Sequence, residues 1–220
     1  MKLIIGNKNY SSWSMRPWIL LRHAGIAFEE MRLSFNSPTF KQDALRYSPV
    51  GKVPILVDGA ITVWDTLAIA EYVAEKFRDK QLWPADLALR AHARAICAEM
   101  HSGFANLRSR MSMNVTARLP GLGWDIAVQR EIDRIASMWL ELRQRHGARG
   151  PFLFGSFSVA DAYYAPVVMR FQTYAPALPA ALNEYRETML ALPAVQAWCA
   201  GAERENEFVV EDEPYRLPPA

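Results

Sequence analysis

Hydroxyl side chains crowd one short stretch of the chain, Tyr10-Ser11-Ser12-Trp13-Ser14-Met15-Arg16-Pro17, between a brief apolar run at residues 3–5 and an apolar segment that stops at Gly25. The pattern reads as strand, loop and helix, with the serines delivered to the helix N-terminus. Helix N-termini expose unpaired N–H groups and a partial positive charge, so they favour anions. A serine there either caps the helix or holds an anionic ligand. Ser14 directly precedes Met15-Arg16-Pro17 and reads as the cap, with Pro17 in the first turn, where a missing N–H costs nothing. Ser11 and Ser12 are then left in the loop. The chain has no Gly-x-Ser-x-Gly and no histidine close in sequence to these serines, which argues against a serine–histidine hydrolase. A serine without a base is a poor nucleophile but a good hydrogen-bond donor.

Two other short pairs could carry chemistry. Val53-Pro54 precedes a β-branched run, so the proline either starts a strand or forms a cis bond, which X-Pro tolerates. A cis bond would turn the Val53 N–H and C=O outward, free to pair with an extended peptide. Asp65-Thr66 opens a helix, and both are good cap residues. The same pair could instead bind a zwitterionic amino-acid head group. The helix N-terminus and hydroxyl would then take its carboxylate, and the aspartate its ammonium. Ser158-Val-Ala-Asp161 is a capping-box variant that starts a buried helix, with no part in catalysis. The first three features together ask for a small peptide with an anion near Ser11.

The elements that must position these residues fall into two units. Residues 1–79 follow the order β-α-β-α-β-β-α. A second strand alternates over residues 28–33, and a short helix falls near 40–47. Asp58-Gly59 marks a hairpin, and Leu67, Ala70, Val73, Ala74 and Phe77 line one face of a closing helix. Residues 80–86 read as a linker, and 87–220 as an all-helical domain. Helices are predicted over 87–111, Ile126–His146, 158–174, 182–190 and 193–203, with a proline-rich tail at 211–220 running over the surface. An α/β unit followed by a helical one is compatible with two packed domains sharing a cleft.

Composition narrows the function classes. Half of the 220 residues are hydrophobic, enough for a sizeable core. The net charge of +2 comes from 25 basic and 23 acidic residues without blocks, which predicts no footprint for nucleic acid or an anionic membrane surface. The two cysteines, Cys97 and Cys199, form no Cys-x-x-Cys pair. A disulfide framework, a zinc site and dithiol chemistry are therefore disfavoured, and a reducing compartment fits. No charged-then-apolar leader opens the chain, and no apolar run approaches the roughly 18 residues of a membrane span. The expectation is a cytoplasmic protein without a metal.

Four motifs in order carry a family resemblance: Tyr10-Ser-Ser-Trp-Ser-Met-Arg-Pro17, Ser48-Pro-Val-Gly-Lys-Val-Pro54, Asp65-Thr-Leu-Ala-Ile-Ala-Glu-Tyr72 and Ser158-Val-Ala-Asp161. With this spacing, nearly the whole chain resembles the cytosolic glutathione S-transferase superfamily. It is nearest to the zeta class, whose maleylacetoacetate isomerases carry Ser-Ser-Cys-Ser-Trp-Arg where Trp13 here replaces the cysteine. The resemblance implies a thioredoxin-like N-terminal domain, an all-α C-terminal domain, glutathione as co-substrate, a homodimer and a role in detoxification. It implies that Ser11, with Ser12 as neighbour, stabilises the glutathione thiolate. Val53, ahead of Pro54, would pair with the cysteinyl part of glutathione, Asp65 and Thr66 would hold the γ-glutamyl end, and Lys41 or Lys52 would reach the glycyl carboxylate. The electrophile pocket would be lined by Trp13 and by His101, Phe104, Arg108 and Met111, spaced by about one turn along the 87–111 helix. Arg170 lies near a late arginine of the zeta class. Phe104 and Met111 read equally as core, and Arg108 as a solvated face. The implied activity is transfer of glutathione to a small electrophile. The rivals are a glutathione-dependent cis–trans isomerase and a non-catalytic interaction module.

Overall fold

The computed structural model describes residues 1–217. Four short strands form one mixed sheet in the order β2-β1-β3-β4: β1 (Lys2–Ile5), β2 (Glu29–Arg32), β3 (Ile55–Asp58) and β4 (Ile61–Trp64). The first two are parallel, with Leu3 opposite Glu30, so a crossover must join them, and helix α1 (Ser12–His23) supplies it. β3 runs antiparallel to β1, with Leu56 opposite Leu3, and β4 returns through the turn at Gly59, whose φ of +61° suits glycine. Strand periodicity divides the apolar residues between two faces. Leu3, Ile5 and Leu56 join the large core with α1 and α3 (Thr66–Lys76), whereas Ile4 and Ile55 pack with Leu33 and with Ala44 of α2 (Phe40–Leu45).

Helix α1 begins three residues earlier than a Ser14 cap would place it. Ser11 is the cap, its Oγ accepting the Ser14 N–H at 3.4 Å. Ser14 lies in the first turn because its own Oγ accepts the Gly6 N–H (3.1 Å), which otherwise ends β1 without a partner. Pro17 therefore falls in the second turn, where its missing N–H leaves the Trp13 carbonyl without an intrahelical donor. Thr66 Oγ1 donates to that carbonyl at 3.3 Å and so ties the start of α1 to the start of α3.

The remainder is helical: α4 (Leu87–Ser102), α5 (Ala105–Arg110), α6 (Ile126–His146), α7 (Val159–Tyr174), α8 (Asn183–Ala191) and α9 (Pro193–Glu205). The single helix expected over 87–111 is broken between α4 and α5. Phe104 adopts a left-handed conformation (φ +54°), and a Cβ on Gly103 would meet the Glu99 carbonyl oxygen at 2.8 Å. The new N-terminus is satisfied from α6, where Glu131 accepts the N–H groups of Asn106 (3.3 Å) and Leu107 (2.7 Å). Helix α7 is buried along nearly its whole length and packs on α1, α4 and α8. Its capping box is the predicted one, Ser158 with Asp161. Asp161 also accepts from the Leu153 N–H and the Tyr185 hydroxyl, and burial pushes its carboxyl up to about 6.

Two segments are tied into the fold, although residues 211 and 214–217 of the tail are exposed as expected. Within 80–86, Leu82 and Trp83 are buried, and the Leu82 carbonyl accepts the Val159 N–H. The end of α9 and the segment after it are bound to the loop ahead of α1. Glu205 accepts the Lys8 N–H (2.7 Å), Glu207 accepts Asn7 Nδ2 (2.9 Å), and the Tyr10 hydroxyl donates to Glu213 (2.8 Å). Residues 218–220 of that tail lie outside the described residues. Among the described residues, no helix is long and apolar enough to cross a membrane, and no group of acidic, histidine or cysteine side chains is arranged to hold a metal.

Candidate active site

Two adjoining cavities lie where the sheet domain meets the helices. The first, of about 240 Å³, is lined by Lys52, Val53, Pro54, Asp65, Thr66 and His101, among others. The second, of about 350 Å³, contains Ser11, Ser12, Arg108, Arg170 and Asp212 in its wall. Trp13, Lys52 and Val53 face both, so one ligand could pass from the first into the second along Val53.

The peptide bond between Val53 and Pro54 is cis. Among the described residues, the Val53 N–H and C=O make no hydrogen bond, leaving one donor and one acceptor for a ligand backbone. At the start of α3, Asp65 is the cap and Thr66 the first helical residue. Asp65 has φ +73° and ψ 133°, a conformation that costs about 1–3 kcal/mol for an L-residue and tends to mark functional sites. Its Oδ1 accepts the Leu67 N–H, and its Oδ2 lies 3.4 Å from His101 Nε2.

The two loop hydroxyls are not equivalent. Ser11 Oγ donates to Ser14 Oγ (2.7 Å) besides capping the helix. Ser12 Oγ makes no hydrogen bond among the described residues, although Ser12 is the first residue of α1 and lines the second cavity. The Trp13 N–H, next along the helix, is likewise unpaired. Free donors and a helix N-terminus thus converge on one point, which can stabilise an anion.

Around Trp13 the charges are cationic. The Arg16 guanidinium stacks 4.3 Å from the indole centre and that of Arg108 lies 5.4 Å away. Arg16 and Arg170 are buried, and burial lowers the pKa of Arg16 to about 10 and of Arg170 to about 9. Arg170 donates only to carbonyls, those of Met111 and Pro166. Arg108 Nε is buried without a partner. Among the described residues none of these three arginines forms an ion pair with a carboxylate. Asp212 is the acidic side chain nearest in function, and burial raises its carboxyl to about 6.

The site therefore gathers Ser11, Ser12, Trp13, Lys52, Val53, Pro54, Asp65, Thr66, Arg108 and Arg170 of the sequence expectation, and moves His101 from the electrophile side to the first cavity. Lys41 is exposed on α2 and lines neither cavity. Phe104 and Met111 are buried in the core and line neither. Sequence reasoning missed Tyr10, Phe35, Phe40 and Asp212 in the second cavity. Phe40 had a usable signal, an aromatic at the start of α2. Asp212 had none, since only the folded tail brings it there.

Comparison with known proteins bears on the chain as a whole. Residues 10–76 match the model of the glutathione S-transferase N-terminal domain, and residues 125–201 that of the glutathione S-transferase C-terminal domain. A probable maleylacetoacetate isomerase of Caenorhabditis elegans is 28% identical over 188 residues, covering 84% of this chain and 86% of its own. Glutathione S-transferase 3 of Zea mays is 27% identical over 210 residues, covering 93% and 90%. In fold, the chain is similar to a glutathione transferase homolog from Burkholderia GL BGR1 with bound glutathione. That match has a TM-score of 0.69 and 24% identity, and covers 94% of this chain and 98% of the other. The two matched segments together span most of the chain, and the chain belongs to the glutathione S-transferase family.

Proposed function

We propose that this protein binds glutathione along Val53 and activates its thiol as a thiolate for attack on a small electrophile in the second cavity. The observation that carries the reading is the row of polar groups facing the two cavities: Asp65 and Thr66 at one end, the free Val53 peptide edge in the middle, and the α1 N-terminus at the other. Asp65 takes the α-ammonium and Thr66 with the α3 N-terminus the α-carboxylate. Lys52, which faces both cavities, reaches the glycyl carboxylate, whereas Lys41 lines neither cavity.

The energetics suffice. A cysteine-type thiol with a pKa of about 8.5 is mostly protonated at neutral pH. Lowering it by roughly two units needs about 2.7 kcal/mol of selective thiolate stabilisation. One hydrogen bond to a charged group supplies about 1.5–3 kcal/mol, and a helix N-terminus about 0.3–1 more. Ser11 supplies such a bond once its proton turns from Ser14 to sulfur, and Ser12 has its hydroxyl already free. The test is retention on immobilised glutathione, followed by titration of the bound thiol from its thiolate absorbance. A thiol that titrates as in free solution sinks the activation, and absence of any retention favours a non-catalytic interaction module.

One observation favours a second reading. Arginines without carboxylate partners beside the second cavity suit an acidic electrophile, and an isomerase would add glutathione to its double bond and release it unchanged. A cis-configured unsaturated acid incubated with the protein would then isomerise with no loss of glutathione. Assembly as a homodimer is proposed with either reading, and sedimentation measures it.

A further inference from the structure

The carboxylate that would meet the ligand's amino group is set from the other domain. Asp65 is about half exposed, and its Oδ1 is committed to the α3 cap. Its Oδ2 has one neighbour among the described residues, His101 Nε2 on the last turn of α4, at 3.4 Å. The other ring nitrogen, Nδ1, lies 2.9 Å from the Tyr163 hydroxyl on α7. The neighbours fix the proton positions. Burial raises the Tyr163 phenol pKa, so it keeps its proton and can donate, whereas a carboxylate only accepts. Tyr163 donating to Nδ1 of the neutral ring leaves the proton on Nε2, the nitrogen 3.4 Å from Asp65 Oδ2. Tyr163 is itself anchored, since its carbonyl accepts Arg16 Nε (2.9 Å) and the Arg16 guanidinium lies 5.1 Å from its ring centre. The His101 ring packs 5.2 Å from Trp13, the residue shared by both cavities. Contacts of this kind are often long without ligand and tighten in the complex.

We propose that His101 is a positioning residue for the amino end of the peptide thiol: reaching across from the helical domain, it aims the Asp65 carboxylate into the first cavity. The proposal rests on the glutathione-binding reading above. It assigns amino-group recognition to a Tyr163–His101–Asp65 chain that spans both domains, whereas the thiol end depends on α1 alone. Without His101, the Asp65 carboxylate is free to turn toward solvent, because nothing else holds Oδ2.

The experiment compares glutathione with its des-amino analogue, in which the α-amino group is replaced by hydrogen, by calorimetry on the intact protein. The variants are His101→Ala, His101→Gln and Tyr163→Phe. Wild type binds glutathione more tightly than the analogue. His101→Ala should cut that preference by roughly fivefold or more, the scale of one lost charge-assisted contact. It should also raise KM for glutathione while leaving kcat within about twofold. His101→Gln, which retains a donor, should recover part of the preference, and Tyr163→Phe should lose part of it. An Ala variant that folds, as thermal melting reports, and keeps the full preference overturns the proposal. Equal weakening toward both ligands also overturns it, because that is the mark of a general structural role. If wild type binds neither ligand, the glutathione reading itself falls and the His101 role with it.

Discussion

Ser11 Oγ donates to Ser14 Oγ at 2.7 Å, and Ser14 Oγ also accepts the Gly6 N–H at 3.1 Å, so the α1 N-terminus and the end of β1 share one hydroxyl. The three serines consequently separate by role. Ser14→Ala strands a buried N–H and should cost about 1–3 kcal/mol in denaturant unfolding. Ser11→Ala removes a cap worth about 0.5–2 kcal/mol and the proposed thiolate donor, so stability and turnover should fall together. Ser12→Ala touches neither the cap nor the Gly6 link and, on the proposed function, should change activity alone. Equal stability of the Ser14 variant and wild type would mean that this hydroxyl link is dispensable.

Arg108 should act on substrate choice and not on folding. Its Nε is buried without a partner, so Arg108→Met removes an unsatisfied donor while keeping the side-chain stem. The unfolding midpoint should hold or rise slightly. KM for a carboxylate-bearing electrophile should rise by about tenfold, the effect of about 1.4 kcal/mol, with little change for a neutral one. A matching rise for the neutral compound would contradict the anion-recognition role.

Asp212 gives a pH signature. Its carboxyl is raised by burial and by Glu211, with Arg170 working against them, to about 6 from an ordinary 3.8. It therefore binds its proton more tightly folded than unfolded. The stability it contributes is fully present below about 3.8 and is lost as pH rises through about 6. Asp212→Asn should melt like wild type near pH 3.5 and above it at pH 7.5, where about a pH unit or more separates the medium from the folded pKa. A constant melting difference across that range would show that Asp212 is not the group involved.

The tie from the chain's end should matter for the loop ahead of α1. Glu213→Ala leaves the buried Tyr10 hydroxyl with the Glu207 carbonyl alone, a loss of about 1–3 kcal/mol. Burial, followed by the hydrogen bond to Glu213, holds the Tyr10 phenol up at about 12. Ultraviolet titration of tyrosines in the variant should show one phenol ionising at lower pH, and its absence would speak against the contact.

The sequence was legible where local physics is strong. The hairpin at Gly59, helix α6 and the Ser158–Asp161 box follow from turn chemistry, 3.6-residue periodicity and capping spacing, each readable within a few residues. The Val53-Pro54 pair left two options open, and the bond is cis. Where competition is tertiary, the reading slipped. Ser14 is a plausible cap by spacing, yet the Gly6 N–H draws its hydroxyl away, and the cap passes to Ser11. The α4–α5 break did have a local sign, Gly103 inside an apolar pattern, but the Glu131 carboxylate that stabilises it comes from another helix. His101 was assigned to the electrophile side because a one-turn spacing from Phe104 assumed an unbroken helix.

Order of synthesis gives the tail contacts a further meaning. Tyr10 and Glu213 are partners 203 residues apart, and Asn7 and Glu207 are 200 apart. A ribosome delivers the serine loop long before its carboxylate anchors, although domains otherwise tend to fold as they emerge. The N-terminal unit can form its sheet early, but the loop carrying Ser11 gains its anchors only about 200 residues later. The start of α1 thereby stays without these anchors until the helical half of the chain has been made.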